Sequence, residues 1–215
     1  MTSIPAFPDT PTARLAGDRL RAAVIEPVVN HSFRSYLFGM LIAEHEGIRP
    51  GADFDPELLF LACVLHDLGT SPQAGTRGQR FELDGADMAA ELMTAQGFGA
   101  REVDLVWEAI ALHATPQIPE RRGPIAALTR NGVGVDFGRS AEIVDEEQAR
   151  EIHALFPRLR MASSLAGQIV LHAARNPANA PGLTIGGAIV QERATDPDGF
   201  SGIERLARAS RWGDD

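Results

Sequence analysis

Residues 56–69 of the 215-residue chain read PELLFLACVLHDLG. The aspartate before this stretch and the proline that opens it are typical of a helix start. Residues 58–65 are apolar without interruption, which predicts a central helix that is buried on all sides. The pattern predicts that this helix continues through Leu68 and ends at Gly69.

Two polar residues, His66 and Asp67, lie at the end of this apolar helix. In a buried position both side chains need partners, because an unpaired buried charge is costly. A divalent cation would satisfy both, since imidazole and carboxylate are ligands of zinc, iron and manganese. Asp67 also does not suit the negative end of the helix dipole, which favours a metal ligand over a simple helix cap.

Two further residues are candidate ligands. His31 lies near the start of the preceding predicted helix, at about residues 28–46, and antiparallel packing of the two helices would bring it beside His66. Asp136 lies in the glycine-flanked, apolar segment 131–138, which follows a predicted helix. Solvent exposure explains an aspartate poorly there, although it could instead stabilise a glycine-rich turn. The predicted metal ligands are therefore His31, His66, Asp67 and Asp136.

The rest of the chain shows helical spacing of apolar residues and no alternating β pattern. Neither a dinucleotide-binding glycine motif nor a phosphate-binding loop is present. We expect an N-terminal arm over residues 1–11 and one all-α domain of eight or nine helices over residues 12–215. The other predicted helices cover about residues 12–26, 82–96, 100–113, 119–130, 142–156, 160–175 and 183–194, and a short further one could close the chain at 203–210.

The composition narrows the class of partner. The formal net charge of the chain is −9, so it has no overall positive field to attract nucleic acids or anionic membranes. We therefore expect neither as a partner. A small-molecule substrate fits better, and phosphate is not excluded because a bound cation reverses the local field. The single cysteine, Cys63, is predicted to be a buried structural thiol. No signal peptide or membrane-spanning run is recognisable, so we expect a cytoplasmic location.

Five ordered segments carry a resemblance to a known family. They begin at His31 (HSFRSYLFG), Leu65 (LHDLG), Arg80 (RFELDGA), Ala109 (AIALHAT) and Gly132 (GVGVDFG). The pattern His, His-Asp, Asp resembles that of the HD-domain metalloenzymes, and the segments resemble those of the cyanamide hydratase-like branch. The resemblance covers residues 31–138, about half of the chain.

The resemblance implies an HD-domain helical bundle that holds one divalent metal ion. We expect zinc, with iron or manganese as alternatives. The two-metal members of the family carry extra histidines between the His-Asp pair and the last aspartate. In this chain His113 is the only histidine in that interval, which favours a single metal ion. The implied reaction adds metal-activated water to the nitrile carbon of cyanamide, giving urea.

Further roles follow from position and resemblance. Asp67 and His113 are the candidate residues for moving protons, although His113 could instead only cap its helix. Arg80 and Glu82 are expected to pair and hold the preceding loop over the site. The predicted substrate pocket consists of Phe33, Arg34, Tyr36, Phe38, Arg80, Glu82 and Thr115.

Other functions stay open. A phosphohydrolase acting on a nucleotide monophosphate would need several arginines or lysines near the metal, and the motifs supply Arg34, Arg77 and Arg80. A non-catalytic ligand-binding protein of the same fold would be expected to have lost metal ligands. The alanine- and glycine-rich region 160–190 could form a homodimer face or belong to the core.

Overall fold

The computed structural model describes residues 4–213 and contains ten α-helices in that range, with no named strand. The all-α prediction is confirmed, with ten helices where eight or nine were expected. The helices are α1 (Pro11–Ala23), α2 (Glu26–Glu46), α3 (Pro56–Leu65), α4 (Phe81–Ala95), α5 (Ala100–Leu112), α6 (Pro124–Asp136), α7 (Glu146–Leu155), α8 (Met161–Arg175), α9 (Ile185–Thr195) and α10 (Gly202–Ala209).

Helix α3 is the centre of the molecule. Every residue from 58 to 65 is buried, as the apolar run predicts. The helix ends at Leu65, earlier than expected, and the chain continues into a short 3-10 turn at Leu68–Thr70. His66 follows α3 with helical backbone angles (φ −60°, ψ −34°), whereas Asp67 departs from them (φ −99°, ψ 7°), and the carboxylate of Asp67 lies beside the ring of His66.

Helices α2 and α6 cross at very short distance because glycines line the crossing. A Cβ atom at Gly132 would lie 2.2 Å from the backbone oxygen of Ser35, and one at Gly39 would lie 3.1 Å from that of Leu128. The prediction that residues 131–136 form a segment outside a helix was wrong. These glycines belong to α6 and allow close packing rather than a turn, and the antiparallel crossing brings His31 beside Asp136.

Two hydrophobic clusters fill the interior. The larger joins α1 to α7 around α3. The smaller packs α8, α9 and α10 against Phe81, Val133 and Phe137. The candidate metal residues lie between these clusters. Residues 1–3 of the predicted arm lie outside the described range; within it, Phe7 packs against Tyr36, with ring centroids 5.5 Å apart. No helix within residues 4–213 is long and apolar enough to cross a bilayer.

Candidate metal centre

His66 is fixed by the carbonyl at the end of α3. Its Nδ1 lies 2.7 Å from the backbone oxygen of Cys63. Because a carbonyl oxygen only accepts hydrogen bonds, Nδ1 carries the hydrogen and donates it. In the neutral ring the lone pair is then on Nε2, which points away from the helix.

His31, from the first turns of α2, faces His66. Its Nδ1 donates to Oδ2 of Asp136 at 2.6 Å, and this places the lone pair of the neutral ring on Nε2. The two Nε2 atoms lie 3.2 Å apart, and both rings are buried. The expectation that antiparallel helices bring His31 to His66 is confirmed.

Asp67 completes the group. Its Oδ2 lies 3.1 Å from Nε2 of His66 and 3.7 Å from Nε2 of His31. This buried oxygen has no hydrogen-bond partner among the described residues. Three ligand atoms, from His31, His66 and Asp67, thus lie within 4.8 Å of one another. Lone pairs that converge in a buried place need a cation between them, and this donor set fits zinc, iron or manganese.

The pKa directions agree with a site that attracts positive charge. Burial is the largest influence on His66 and lowers its pKa, but Asp67, the Cys63 carbonyl and Asp136 together outweigh it, so that the pKa of His66 is raised. Burial raises the pKa of Asp67, yet the nearby histidines, His66 foremost, hold it below its ordinary value. The pKa of His31 is lowered, chiefly by burial.

His113, a predicted catalytic residue, borders the same group. Its Nδ1 donates to the backbone oxygen of Ile110 at 2.6 Å, and its Nε2 lies 3.8 Å from Oδ1 of Asp67. Burial, followed by the charge of His66, lowers its pKa to about 3. His113 is therefore neutral at pH 7 and presents an acceptor to Asp67. Its predicted part in moving a proton stays a prediction.

Asp136 is not brought into this group. Its Oδ1 accepts from Nε of Arg34 at 2.8 Å and from Arg158 at 2.7 Å, and its Oδ2 accepts from His31 and from Nη2 of Arg34 at 2.7 Å. Burial raises its pKa, but Arg34, His31 and Arg158 together hold that pKa well below its ordinary value. In this arrangement Asp136 orients His31, and its predicted role as a fourth ligand stays a prediction.

A cavity of about 600 Å³ opens beside the candidate metal residues. Arg80 and Thr115 line it, as predicted, and Arg80 forms the expected ion pair with Glu82. Glu82 itself is buried away from the lining.

The other predicted pocket residues lie elsewhere. Phe33 and Tyr36 belong to an aromatic cluster around Phe7, and Phe38 stacks on Trp212 with ring centroids 5.9 Å apart. Arg34 is bound to Asp136. The expectation that they form the pocket was wrong, because these buried side chains are taken up by contacts with the aromatic cluster, with Asp136 and with Trp212 and do not line the cavity.

Sequence reasoning missed most of the cavity wall. Helices α8, α9 and α10 supply an apolar side that includes Leu165, Ile169 and Ile185. Arg130 and Arg139 supply two positive charges. Helical spacing predicted the helices that carry the apolar residues, but no local motif indicates that they face a metal site.

Comparison with known proteins agrees with this geometry. The HD domain family matches residues 28–173. The cyanamide hydratases DDI2 and DDI3 of Saccharomyces cerevisiae are each 27% identical over 173 residues, which cover 79% of this chain and 76% of each relative. Because the family match spans more than half of the chain, the protein belongs to the HD domain family, and its buried His-His-Asp group is the candidate centre of a metal-dependent enzyme.

Proposed function

We propose that the protein is a metal-dependent hydratase that adds water to the C≡N group of a cyanamide- or nitrile-type substrate. The observation that carries this proposal is the convergence of His31, His66 and the unpartnered Oδ2 of Asp67 beside a cavity. The 27% identity to cyanamide hydratases supports the choice of reaction.

The proposed cofactor is one divalent ion, zinc first, with iron or manganese as alternatives, held by His31, His66 and Asp67. Bound there, it would lower the pKa of a coordinated water toward neutrality and so supply the nucleophile. In the overall reaction the oxygen of one water ends doubly bonded to the nitrile carbon, and both of its hydrogens end on nitrogen. Nothing is oxidised and no group leaves.

The chain's own residues would orient the reactants and move protons. Oδ1 of Asp67 is the proposed proton acceptor, because Oδ2 points at the two ligand histidines. Neutral His113 presents the lone pair of Nε2 toward Oδ1 of Asp67 at 3.8 Å and would accept a hydrogen bond from that carboxyl group once Oδ1 carries the proton. Arg80, tied to Glu82, fixes the start of α4 at the cavity edge. The apolar wall would exclude bulk water from the reacting group.

Metal analysis of the purified protein, paired with a urea assay on cyanamide, tests the proposal. We expect about one metal ion per chain together with urea formation. His66→Ala should lose the metal while helical content is retained. The matched control is His45→Ala, an exposed histidine outside the group, which should keep both. Absence of metal even after reconstitution would contradict the proposal.

A second candidate is hydrolysis of a nucleotide monophosphate. The observation that favours it is the presence of Arg130 and Arg139 in the cavity wall, since guanidinium groups bind phosphate well. Of the arginines near the motifs, Arg34 is bound to Asp136, and Arg77 pairs with Asp87. Phosphate release from nucleotide monophosphates, with no urea formed from cyanamide, would support this candidate and overturn the first.

A further inference from the structure

Three arginines, Arg80, Arg130 and Arg139, line the cavity of a chain whose net charge is −9. Arg80 is neutralised by Glu82. Arg130 and Arg139 have no ion pair within 4.0 Å and no hydrogen bond to any residue in the range 4–213. The Nε atom of Arg130 is buried without a partner. The wall therefore carries two positive charges that the chain itself does not pair.

The end of α6 brings these two arginines together. Gly138 adopts a φ of +92°, which only glycine tolerates easily, and the chain reverses there. The backbone N–H of Arg139 then donates to the oxygen of Gly134 at 2.9 Å. A Cβ at Gly134 would lie 3.5 Å from Cδ of Arg139, so the Arg139 side chain lies back over this glycine. Arg130 is one helical turn before Gly134 on the same face of α6.

The proximity of these charges opposes folding unless something offsets it. Burial lowers the pKa of Arg130, the charge of Arg139 lowers it further, and Glu120 offsets part of this from beyond ion-pair distance. Asp67 is the one carboxylate that lines the cavity within the described residues, and it faces the histidines. A bound anion would supply the missing charge and accept the free N–H groups.

The remaining wall is apolar and large. Phe81, Phe137, Leu165, Ile169 and Ile185 line it in a cavity of about 600 Å³. Cyanamide, one carbon and two nitrogens, would fill a small part of this space and touch few of these side chains. Cavities of this size usually hold molecules with the bulk of a drug-like ligand.

We infer that the substrate carries its C≡N group on an apolar body that ends in an anionic group, bound by Arg130 and Arg139. This inference rests on the proposed function and sharpens it: the reacting group is neutral, but the molecule that bears it is an acid. The C≡N group would face the His-His-Asp group, and the body would lie against the apolar side chains of α8 and α9.

Binding of two non-reacting ureas tests this without relying on turnover. Phenylurea and 4-ureidobenzoate are the hydration products of phenylcyanamide and 4-cyanamidobenzoate, and they differ only in a carboxylate. With the zinc-loaded protein, calorimetry should give an affinity for 4-ureidobenzoate that is about tenfold higher or more. Arg130→Gln and Arg139→Gln should each remove most of this preference and leave phenylurea binding nearly unchanged. Arg77→Gln, outside the cavity, should retain the preference.

Kinetics with the two cyanamides give an independent readout. Both arginine variants should raise KM for 4-cyanamidobenzoate and leave kcat close to the wild-type value, because the carboxylate is remote from the reacting carbon. Equal affinity for the two ureas, no binding of either, or a preference that survives in both variants would overturn the inference. A carboxylate preference without urea formation would contradict the hydratase proposal alone.

Discussion

Two buried aspartates, Asp67 and Asp136, lie on opposite sides of His31 and have opposite surroundings. Both oxygens of Asp136 are filled by Arg34, Arg158 and the Nδ1 hydrogen of His31. Oδ2 of Asp67 meets only imidazole nitrogens and has no hydrogen-bond partner in residues 4–213. A carboxylate paired with buried arginines stabilises the folded chain, whereas a carboxylate that faces the lone pairs of histidines is suited to binding an exchangeable metal ion.

The pKa directions support the same distinction. Burial raises the pKa of each aspartate, and in each case the neighbours more than offset it. For Asp136 the offsetting charges are guanidinium groups, which remain charged at any pH a protein survives. For Asp67 they are histidines, whose charge depends on a proton that a metal ion can replace. The charge of Asp136 is therefore permanently compensated by arginines. The charge of Asp67 is exchangeably compensated, by protons or by a metal ion.

The largest expected effect comes from removing the permanently compensated carboxylate. Asp136→Ala leaves Arg34 and Arg158 buried without their counter-charge, which should cost about 3–5 kcal/mol of unfolding free energy. Urea denaturation of the metal-free protein measures this loss. Glu108→Ala, which breaks the exposed pair with Arg122, is the control and should cost less than about 1 kcal/mol. Equal losses in the two variants would refute a structural role for Asp136.

The second effect concerns the exchangeable carboxylate. Asp67→Asn should abolish metal binding and should cost the metal-free protein less stability than Asp136→Ala does, since Oδ2 loses its attraction to the histidines but no hydrogen-bond donor. The wild type should gain about 2.7 kcal/mol at a metal concentration of about 100 times Kd, and the variant nothing. Thermal unfolding with and without zinc measures both. A variant that still responds to zinc would show that Asp67 is not a ligand.

Much of the fold was predictable from the sequence because hydrophobic periodicity dominates it. The apolar run 58–65 indicated the central helix, and the cap before it fixed its start. The end of α3 and the nature of segment 131–136 were not predictable in this way. Glycines 132 and 134 look like a turn in isolation, and only the close approach of α2 explains why Gly132 lies within a helix.

The site was predictable where residues adjacent in sequence carry it, and less so where the tertiary structure assembles it. His31, His66 and Asp67 were brought together as expected. The partners of Asp136 were missed because Arg34 was assigned to the pocket and Arg158 lies in a segment without a motif. Arg130 and Arg139 were missed for a similar reason: their proximity depends on the chain reversal after α6.

A smaller effect concerns His153, a half-buried histidine close enough to feel the charges of Arg34, Asp136 and Arg158. Burial, followed by the nearby Arg34, lowers the pKa of His153 to about 4. The unfolded chain therefore binds an extra proton between about pH 6.5 and 4, and stability contributed by neutral His153 is lost as the pH falls through that window. His153→Gln should reduce this acid loss by about 1 kcal/mol, because partial exposure of the ring weakens the effect.

Urea denaturation of the metal-free protein at pH 7 and pH 4.5 measures the difference. His45→Gln is the matched control at an exposed position, and it should leave the acid loss unchanged. If His153→Gln behaves like His45→Gln, neither burial nor the arginines around Asp136 shift the titration of His153, and this prediction is wrong.

The smallest expected effect separates the roles of the backbone and the side chain of Cys63, which lies next to the metal-site residue His66. Cys63 holds His66 through its carbonyl oxygen, while its thiol donates to Oγ1 of Thr129 at 3.8 Å. Burial raises the pKa of this thiol to about 12, so it should react with a thiol reagent only after unfolding. Cys63→Ala should keep full metal content and lose only about 0.8 kcal/mol of stability, because the carbonyl that orients His66 is unchanged. A fall in metal content would instead indicate that the Cys63 thiol contributes to metal binding. Asp67 would then not be the only anionic ligand beside His31 and His66.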